Sequence, residues 1–202
     1  MSNRATIISS KEQFKQWVLL DRKSSGFKAS MSLKDKIHDL FAPNYISNFL
    51  YLLRKVEYIT NCKTGPIWGG VLLFYRLRLR KLQVKLGFTI PINVFGPGLS
   101  IAHYGTIVVS QYAKVGSNCR LHVGVNIGAS GGGDNAPQIG DNVYIGPGAI
   151  LFGGIKIADN ISIGANATVN KSFLERNVVI AGTPAKVVQE GASPWTDNSY
   201  VK

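Results

Sequence analysis

Aliphatic side chains recur at every sixth residue through the second half of the chain. Ten positions from 109 to 169 hold Val, Leu or Ile, with one interval of twelve residues. They are Val109, Val115, Leu121, Ile127, Ile139, Ile145, Leu151, Ile157, Ile163 and Val169. A period of six fits neither an α-helix, at about 3.6 residues per turn, nor the alternation of an ordinary strand. It predicts a β-helix in which each six-residue unit forms one short strand and a corner.

Two other phases of the repeat support this prediction. Four residues after the aliphatic positions stand apolar residues, many of them small: Ala113, Cys119, Val125, Val143, Ala149, Ile155, Ile161 and Ala167. Three residues after them stand Asn or Gly: Asn118, Gly124, Asn142, Gly148, Gly154, Asn160 and Asn166. Asn and Gly tolerate the left-handed backbone that a corner repeated every six residues demands. Cys119 falls on an inward phase, so we interpret it as a core residue and not a reactive thiol.

The chain divides near Gly87 into three predicted parts. Residues 1–87 form a helical region, residues 88–190 the β-helix domain, and residues 191–202 a loose tail. Helices are expected over residues 11–21 and after Ser32, with Asp35 completing a capping box. Residues 75–80 also alternate as a strand would, but a helix is favoured because Gly87 would then end it. Its apolar seam would pack on the β-helix or on a sister subunit: Leu72, Tyr75, Leu79, Leu82 and Leu86.

Composition narrows the class of protein. Two cysteines offer no disulfide framework, and with three histidines they show no zinc-ligand spacing, so no metal is predicted. The first ten residues lack the apolar run of a signal peptide, and residues 66–75 are too short to span a bilayer. A cytoplasmic protein is therefore expected.

Several motifs together resemble the hexapeptide acyltransferases, and most closely their serine acetyltransferase branch. The resemblance covers roughly residues 88–190 and rests on the repeat, the His-Tyr-Gly at 103–105, the glycine-rich insertion at 131–133 and the Ala-Gly-Thr-Pro-Ala-Lys at 181–186. It implies a mainly β fold, a left-handed parallel β-helix preceded by an α-helical region. It further implies a homotrimer with acetyl-CoA in the groove between neighbouring β-helices.

By this resemblance His103 matches the catalytic histidine, acting as a general base in direct transfer to a hydroxyl. A neutral imidazole suits that role because its pKa lies near working pH. Extending the six-residue phase backwards would instead place His103 inward, as a packed histidine. His122, nineteen residues later, stacks one coil away and could bind the acceptor or orient His103. The alternative for His122 is an exposed corner residue.

Four corner residues and two lysines are predicted to bind acetyl-CoA. Gly146 with Pro147 and Gly164 with Ala165 lie eighteen residues apart, one coil above the other, and suit backbone contact with the pantetheine arm. The resemblance places Lys171 and Lys186 near the nucleotide phosphates, with ordinary surface lysines as the alternative.

The acceptor side departs from the serine branch. Ala102 stands where that branch usually has Asp, and Asp134-Asn135-Ala136-Pro137 stands where it has Asp-Arg-His-Pro. Because Arg is a forked donor for a carboxylate and Asn135 is uncharged, we expect an acceptor other than serine. Asp134 and Asn135 are the acceptor-side candidates. The predicted function is acetylation of a sugar hydroxyl on a bacterial surface polysaccharide or its precursor. The alternatives are the serine O-acetyltransferase of cysteine biosynthesis and a non-catalytic trimeric scaffold.

The formal net charge of +12 requires a partner or a solvated surface. Cations cluster before the β-helix with only Glu57 among them: Arg54, Lys55, Lys63, Arg76, Arg78, Arg80, Lys81 and Lys85. Three interpretations stay open, namely an acidic acceptor, peripheral contact with the anionic inner membrane, and a surface that balances the phosphates of CoA. Nucleic acid is not predicted, because no recognition module or aromatic stacking platform accompanies the cations.

Overall fold

Three helices precede the β-helix in the described part of the chain. The computed structural model describes residues 7–28, 32, 34, 41–131 and 133–197. Helix α1 spans Lys11–Ser24, α2 spans Tyr45–Cys62 and α3 spans Pro66–Leu86. The side chains of Ser10 and Asn44 cap α1 and α2 by accepting backbone N–H groups. The helix predicted to follow Ser32, with Asp35 in its capping box, falls almost wholly outside the described residues.

Helix α3 ends as its sequence predicts. Gly87 adopts a left-handed conformation with φ of 77°, and its N–H bonds to the last turn of the helix. The helical interpretation of residues 75–80 is confirmed, and the alternating strand pattern there is overridden. Leu79 and Leu86 are buried against the core, with Leu72, Tyr75 and Leu82 packed beside them. The predicted seam therefore packs within this chain, mainly against α2 and at its end against the first strand of the β-helix.

Fourteen strands of two to four residues follow within the described residues. They are β1 Phe88–Thr89, β2 Ser100–Ile101, β3 Ile107–Val109, β4 Lys114–Val115, β5 Arg120–Leu121, β6 Asn126–Gly128, β7 Gln138–Ile139, β8 Tyr144–Ile145, β9 Ile150–Phe152, β10 Lys156–Ile157, β11 Ser162–Ile163, β12 Thr168–Val169, β13 Val179–Ala181 and β14 Lys186–Gln189.

These strands build three sheets that the chain visits in turn, which makes a parallel β-helix. Sheet 1 has the order β1-β3-β6-β9-β12, sheet 2 the order β4-β7-β10, and sheet 3 the order β2-β5-β8-β11-β13-β14. All pairs are parallel except β13 with β14. Val109 pairs with Ile127, eighteen residues on, whereas Val115 pairs with Ile139, twenty-four residues on. The extra six residues are the insertion that causes the single long interval in the repeat.

The repeat predicts the core correctly. All ten periodic aliphatic side chains are buried, none more than 5% exposed. Cys119 is also buried, and burial raises the pKa of its thiol, so its interpretation as a core residue is confirmed.

Asparagines form a ladder along one corner, between sheets 2 and 3. Asn118, Asn142, Asn160 and Asn177 all have φ between 55° and 60°. The amide of each of the first three donates to the side-chain oxygen of the next, at 2.8 to 2.9 Å. One predicted corner residue is wrong: the left-handed residue after Leu151 is Gly153, with φ of 81°, and not Gly154.

A buried ionic cluster joins the helices to the first coil. Arg54 on α2 is fully buried and pairs with Asp21 of α1 at 2.7 Å and with Glu57 at 3.0 Å. Its guanidinium also donates to the carbonyls of Phe95 and Gly96, at 2.8 and 2.6 Å. Arg54 therefore does not belong to the exposed cations with which the sequence pattern groups it.

Residues 191–197 are not a loose tail. Trp195, in a short 3-10 helix spanning Trp195–Asp197, is buried, and its indole N–H donates to the carbonyl of Asn118 at 2.9 Å. The N–H of Ala192 donates to the carbonyl of Asn177. The segment therefore packs against the asparagine corner, while residues 198–202 lie outside the described part.

Candidate active site

His103 lies at the corner between sheets 3 and 1. It follows β2 and precedes β3, and its side chain is exposed. The inward position obtained by extending the repeat is wrong, because β3 has two inward residues, Ile107 and Val109. The six-residue spacing back to β2 therefore runs from Ile107 to Ile101, and His103 is left on the corner.

His122 lies one coil from His103 on the same corner. The ring centroids of the two histidines are 6.0 Å apart, and that of Tyr144, in the next coil, lies 4.9 Å from His122. His122 is half-buried, so its interpretation as an exposed corner residue is wrong. Burial lowers the pKa of His122, and the charges of Arg120 and His103 lower it further. His122 is therefore neutral at neutral pH.

The nitrogen Nε2 of His122 is buried and has no hydrogen-bond partner among the described residues. A buried polar atom without a partner costs free energy, and such atoms occur where a ligand completes the site. This nitrogen lies in the row formed by His103, His122 and Tyr144, so a polar group bound there would find an acceptor or a donor.

Two members of this site were missed in the sequence. Arg120 on β5 is the parallel-strand partner of Tyr144 on β8, and its guanidinium donates to the hydroxyl of Ser100 at 3.0 Å. The guanidinium also lies 5.6 Å from the ring of Trp195. Arg120 and Tyr144 each occupy the outward position directly before an inward aliphatic residue, Leu121 and Ile145. This shared position in the repeat is the sequence feature from which their alignment could have been predicted. The insertion hides their stacking by spacing them twenty-four residues apart instead of eighteen.

The insertion lies at a different corner. It joins β6 of sheet 1 to β7 of sheet 2, and Asp134 and Asn135 are exposed there. The side-chain amide of Asn135 donates to the hydroxyl of Ser130 at 2.9 Å, and the main-chain carbonyl of Asn135 accepts the Ser130 N–H at 3.0 Å. Asn135 thus closes the loop, and one chain by itself does not bring Asp134 or Asn135 to the histidine pair.

The glycine corners predicted to hold acetyl-CoA stack above the histidines. Gly146 and Gly164 follow β8 and β11, at the corner of sheets 3 and 1. Their N–H groups donate to the carbonyls of Ile163 and Ile180 in the next coil. A Cβ on Gly146 would lie 2.8 Å from the Ile163 oxygen, so coil stacking by itself requires this glycine.

The exposed members of these corners are Pro147 and Ala165. Lys186 is exposed on β14, which pairs with β13 at the end of sheet 3. Lys171 is exposed after β12, on the side of the insertion, with Nζ 5.5 Å from the ring of Phe173. The two lysines therefore flank sheet 1 from opposite corners.

The outer face of sheet 1 carries three exposed apolar side chains among polar ones, unlike the outer face of sheet 2. Val108, Ile150 and Phe152 are 36%, 42% and 39% exposed on the outside of β3 and β9. The corresponding positions of sheet 2 are Lys114, Gln138 and Lys156. An apolar outer face on a β-helix is suited to contact with another subunit.

Neither a metal cluster nor a membrane span is present in the described ranges. No group of three His, Cys, Asp or Glu side chains there could hold a metal ion. None of the helices in those ranges is both long and apolar enough to cross a bilayer.

Comparisons with known proteins agree with this architecture. Residues 136–171 match the bacterial transferase hexapeptide (six repeats). The chain is 36% identical over 129 residues to a serine acetyltransferase of Mycobacterium tuberculosis, covering 62% of this chain and 56% of the relative. It spans about half the length of the curated relatives it matches.

Solved structures show the same fold. A serine acetyltransferase of Neisseria gonorrhoeae superposes with a TM-score of 0.62 at 25% identity, covering 91% of this chain and 67% of the other. One from Vibrio cholerae superposes with a TM-score of 0.66 at 18% identity, covering 95% and 70%. The predicted fold, a left-handed parallel β-helix with an N-terminal helical region, is confirmed.

The predicted polysaccharide acceptor is wrong. The relatives and structures compared above are named serine acetyltransferases. They favour the alternative given in the sequence analysis, in which serine is the acceptor. Serine was excluded as acceptor because of Ala102 and the uncharged Asn135. That argument assumed that only the insertion could supply a cation for the serine carboxylate. Arg120, on the strand that directly precedes His122, is a further cation outside the insertion. The resemblance to the hexapeptide acyltransferases, near their serine acetyltransferase branch, is confirmed by the family match and by these relatives.

Proposed function

We propose that this chain is an acetyl-CoA-dependent serine O-acetyltransferase that works as a homotrimer. The observation that carries the proposal is the position of the exposed His103, whose ring centroid lies 6.0 Å from that of His122. The two histidines lie in a β-helix whose sequence is similar to that of serine acetyltransferases. One related structure is a serine acetyltransferase in complex with CoA, and another, from Neisseria gonorrhoeae, is a complex with serine.

His103 acts as the general base. The serine hydroxyl attacks the thioester carbonyl while His103 takes its proton, so that a C–O bond forms. The tetrahedral oxyanion collapses, the C–S bond breaks, and the imidazolium returns the proton to the departing sulfur of CoA. No covalent enzyme intermediate forms. His122 is neutral and can accept a hydrogen bond at Nε2 from the acceptor or from His103.

Arg120 holds the serine carboxylate in this proposal. Its guanidinium is a forked donor on the same outer row as Tyr144, and its charge acts on His122. One N–H is used by Ser100, and the others can reach a carboxylate. Arg120 would thus replace the arginine missing from the insertion.

A trimer formed through the three outer faces of sheet 1 would complete the site. Each sheet 1 is flanked by the histidine corner on one side and the insertion corner on the other. Threefold packing on that face brings the histidine corner of one subunit to the insertion corner of its neighbour. Asp134, Asn135 and Lys171 then face Pro147, Ala165 and Lys186 of the adjacent chain across one acetyl-CoA groove. The cytoplasmic location stays a prediction.

The test is CoA release from acetyl-CoA with L-serine, using His103→Ala, Arg120→Lys and the matched control Lys114→Ala on the outside of sheet 2. We expect His103→Ala to lose about 100-fold or more in kcat with its fold intact. Arg120→Lys should raise KM for serine and leave KM for acetyl-CoA unchanged, and Lys114→Ala should match the wild type. Full activity of His103→Ala, or no CoA release with serine, would overturn the proposal.

A further inference from the structure

The positive charge of this chain is confined to its N-terminal part. Residues 1–87 hold 16 of the 23 Lys and Arg and five of the 11 Asp and Glu, so they carry +11 of the net +12. The β-helix and tail are nearly neutral. Because the phosphates of CoA would bind at the β-helix, they do not account for this distribution.

Helix α3 carries apolar side chains on the face opposite its buried seam. Ile67, Leu73, Phe74, Leu77 and Val84 are 55% to 81% exposed. They recur at spacings of three, four and seven residues, which places them along one side of the helix. The seam that packs on the core therefore leaves a second apolar stripe without a partner among the described residues.

Five cations flank this stripe, all of them exposed: Arg76, Arg78, Arg80, Lys81 and Lys85. The helix has no acidic residue, and none occurs between Glu57 and Asp134. Glu57 itself is buried against Arg54. The stripe therefore combines apolar side chains with a positive field that no carboxylate of the helix itself reduces.

We propose that α3 lies flat on an anionic membrane surface, with its apolar stripe in the headgroup region and its cations on lipid phosphates. A helix with apolar side chains on one side and Lys or Arg beside them is the usual form of an interfacial anchor. Each cation near an anionic surface adds attraction that salt screens. At 21 residues the helix is about 32 Å long, enough for several lipids along its axis.

Charge decides against a second copy of this chain as the occupant. Packing α3 on α3 would bring two sets of five cations together in regions that each carry +11, and no acidic side chain of the helix would offset the repulsion. An anionic lipid surface turns the same charges into attraction. The exposed Ile67, Leu77 and Val84 favour lipid over a purely ionic partner such as nucleic acid.

The docked helix would end at the candidate active site. The N–H of Gly105 donates to the carbonyl of Leu86 at 3.2 Å, two residues after His103. The N–H of Ile107 likewise donates to the carbonyl of Gly87. Contact of α3 with a membrane would hold the histidine corner close to the lipid surface. The proposal does not rest on the acetyltransferase assignment.

The test is co-sedimentation with vesicles of phosphatidylcholine alone and of phosphatidylcholine with phosphatidylglycerol. The full chain is compared with R76Q/R80Q, with L73Q/L77Q, and with K114Q/K156Q, which removes two exposed cations from sheet 2. Circular dichroism checks that each variant is folded, and sedimentation velocity gives its mass.

We expect binding to the anionic vesicles only, weakened by salt. R76Q/R80Q should bind about 30-fold more weakly, L73Q/L77Q should also lose binding, and K114Q/K156Q should bind like the wild type. Three outcomes would overturn the proposal: equal binding to both vesicle types, equal loss in R76Q/R80Q and K114Q/K156Q, or L73Q/L77Q leaving vesicle binding intact while lowering the oligomeric mass. The last would assign the stripe to a second copy of the chain. CoA release is assayed separately, so failure here is distinguishable from failure of the proposed function.

Discussion

At Asn142, alanine should destabilise the fold more than glycine does. This reverses the order of stability that the two residues have in an ordinary strand. Asn142 sits in the middle of the corner ladder with φ of 57°. Its amide donates to Asn160 at 2.8 Å, and its side-chain oxygen accepts from Asn118 at 2.9 Å. Either substitution removes both hydrogen bonds, but alanine keeps a Cβ on the left-handed backbone, whereas glycine has none.

The free energy of unfolding can be worked from these contacts. Two side-chain hydrogen bonds contribute about 1 kcal/mol each, so Asn142→Gly should lose about 2 kcal/mol. Asn142→Ala should lose about 1 kcal/mol more, because the left-handed conformation costs that much for a residue with a Cβ. In an ordinary strand glycine is instead the worse of the two, by about 0.5–1 kcal/mol.

The assay is urea unfolding followed by circular dichroism at one fixed protein concentration, because subunit association would otherwise shift the midpoints. Lys114, exposed on β4, is the matched control, and there Ala should be more stable than Gly. If Asn142→Ala proved as stable as Asn142→Gly, the corner would not depend on backbone handedness and the argument would fail.

Three further predictions concern buried groups. Because the pKa of His122 is lowered in the fold, the unfolded chain takes up the proton first, so stability should fall as pH drops below about 6.5; an NMR titration should place its midpoint below that value, and Arg120→Gln should raise it. Arg54→Met should destabilise the fold by about 3–5 kcal/mol in urea unfolding, since the carboxylates of Asp21 and Glu57 then lie buried without a cation; a loss under 1 kcal/mol would contradict this. Cys119 should resist thiol reagents in the native protein and react after unfolding, as mass spectrometry of labelled peptides would reveal.

The coils could be predicted from the sequence because each inward position is set by local chemistry repeated many times. A single six-residue period fixes which side chains point inward, and Asn142 and Asn160 supply the corners. The same logic failed where the period changes. β3 places both Ile107 and Val109 inward, so the extrapolated position of His103 was displaced by two residues.

Contacts between distant segments could not be predicted from the pattern. Trp195 packs on Asn118 across 77 positions of sequence, and Arg54 reaches Phe95 across 41. Neither contact has a periodic signal. The acceptor was mistaken for a related reason, since the sequence of the insertion carries no information on cations in other coils, such as Arg120.

The cluster around Arg54 has a consequence for how the β-helix begins. A solenoid has an open end at which the first coil has no neighbour, and its backbone groups must be satisfied by something else. Here the carbonyls of Phe95 and Gly96 are met by Arg54, and the N–H groups of Gly98 and Leu99 by Asp21, at 2.8 and 2.9 Å. The helices thus act as the terminal cap of the array. A fragment that starts at residue 88 would expose these backbone groups of the first coil. The helical region and the β-helix should therefore fold and unfold as one unit.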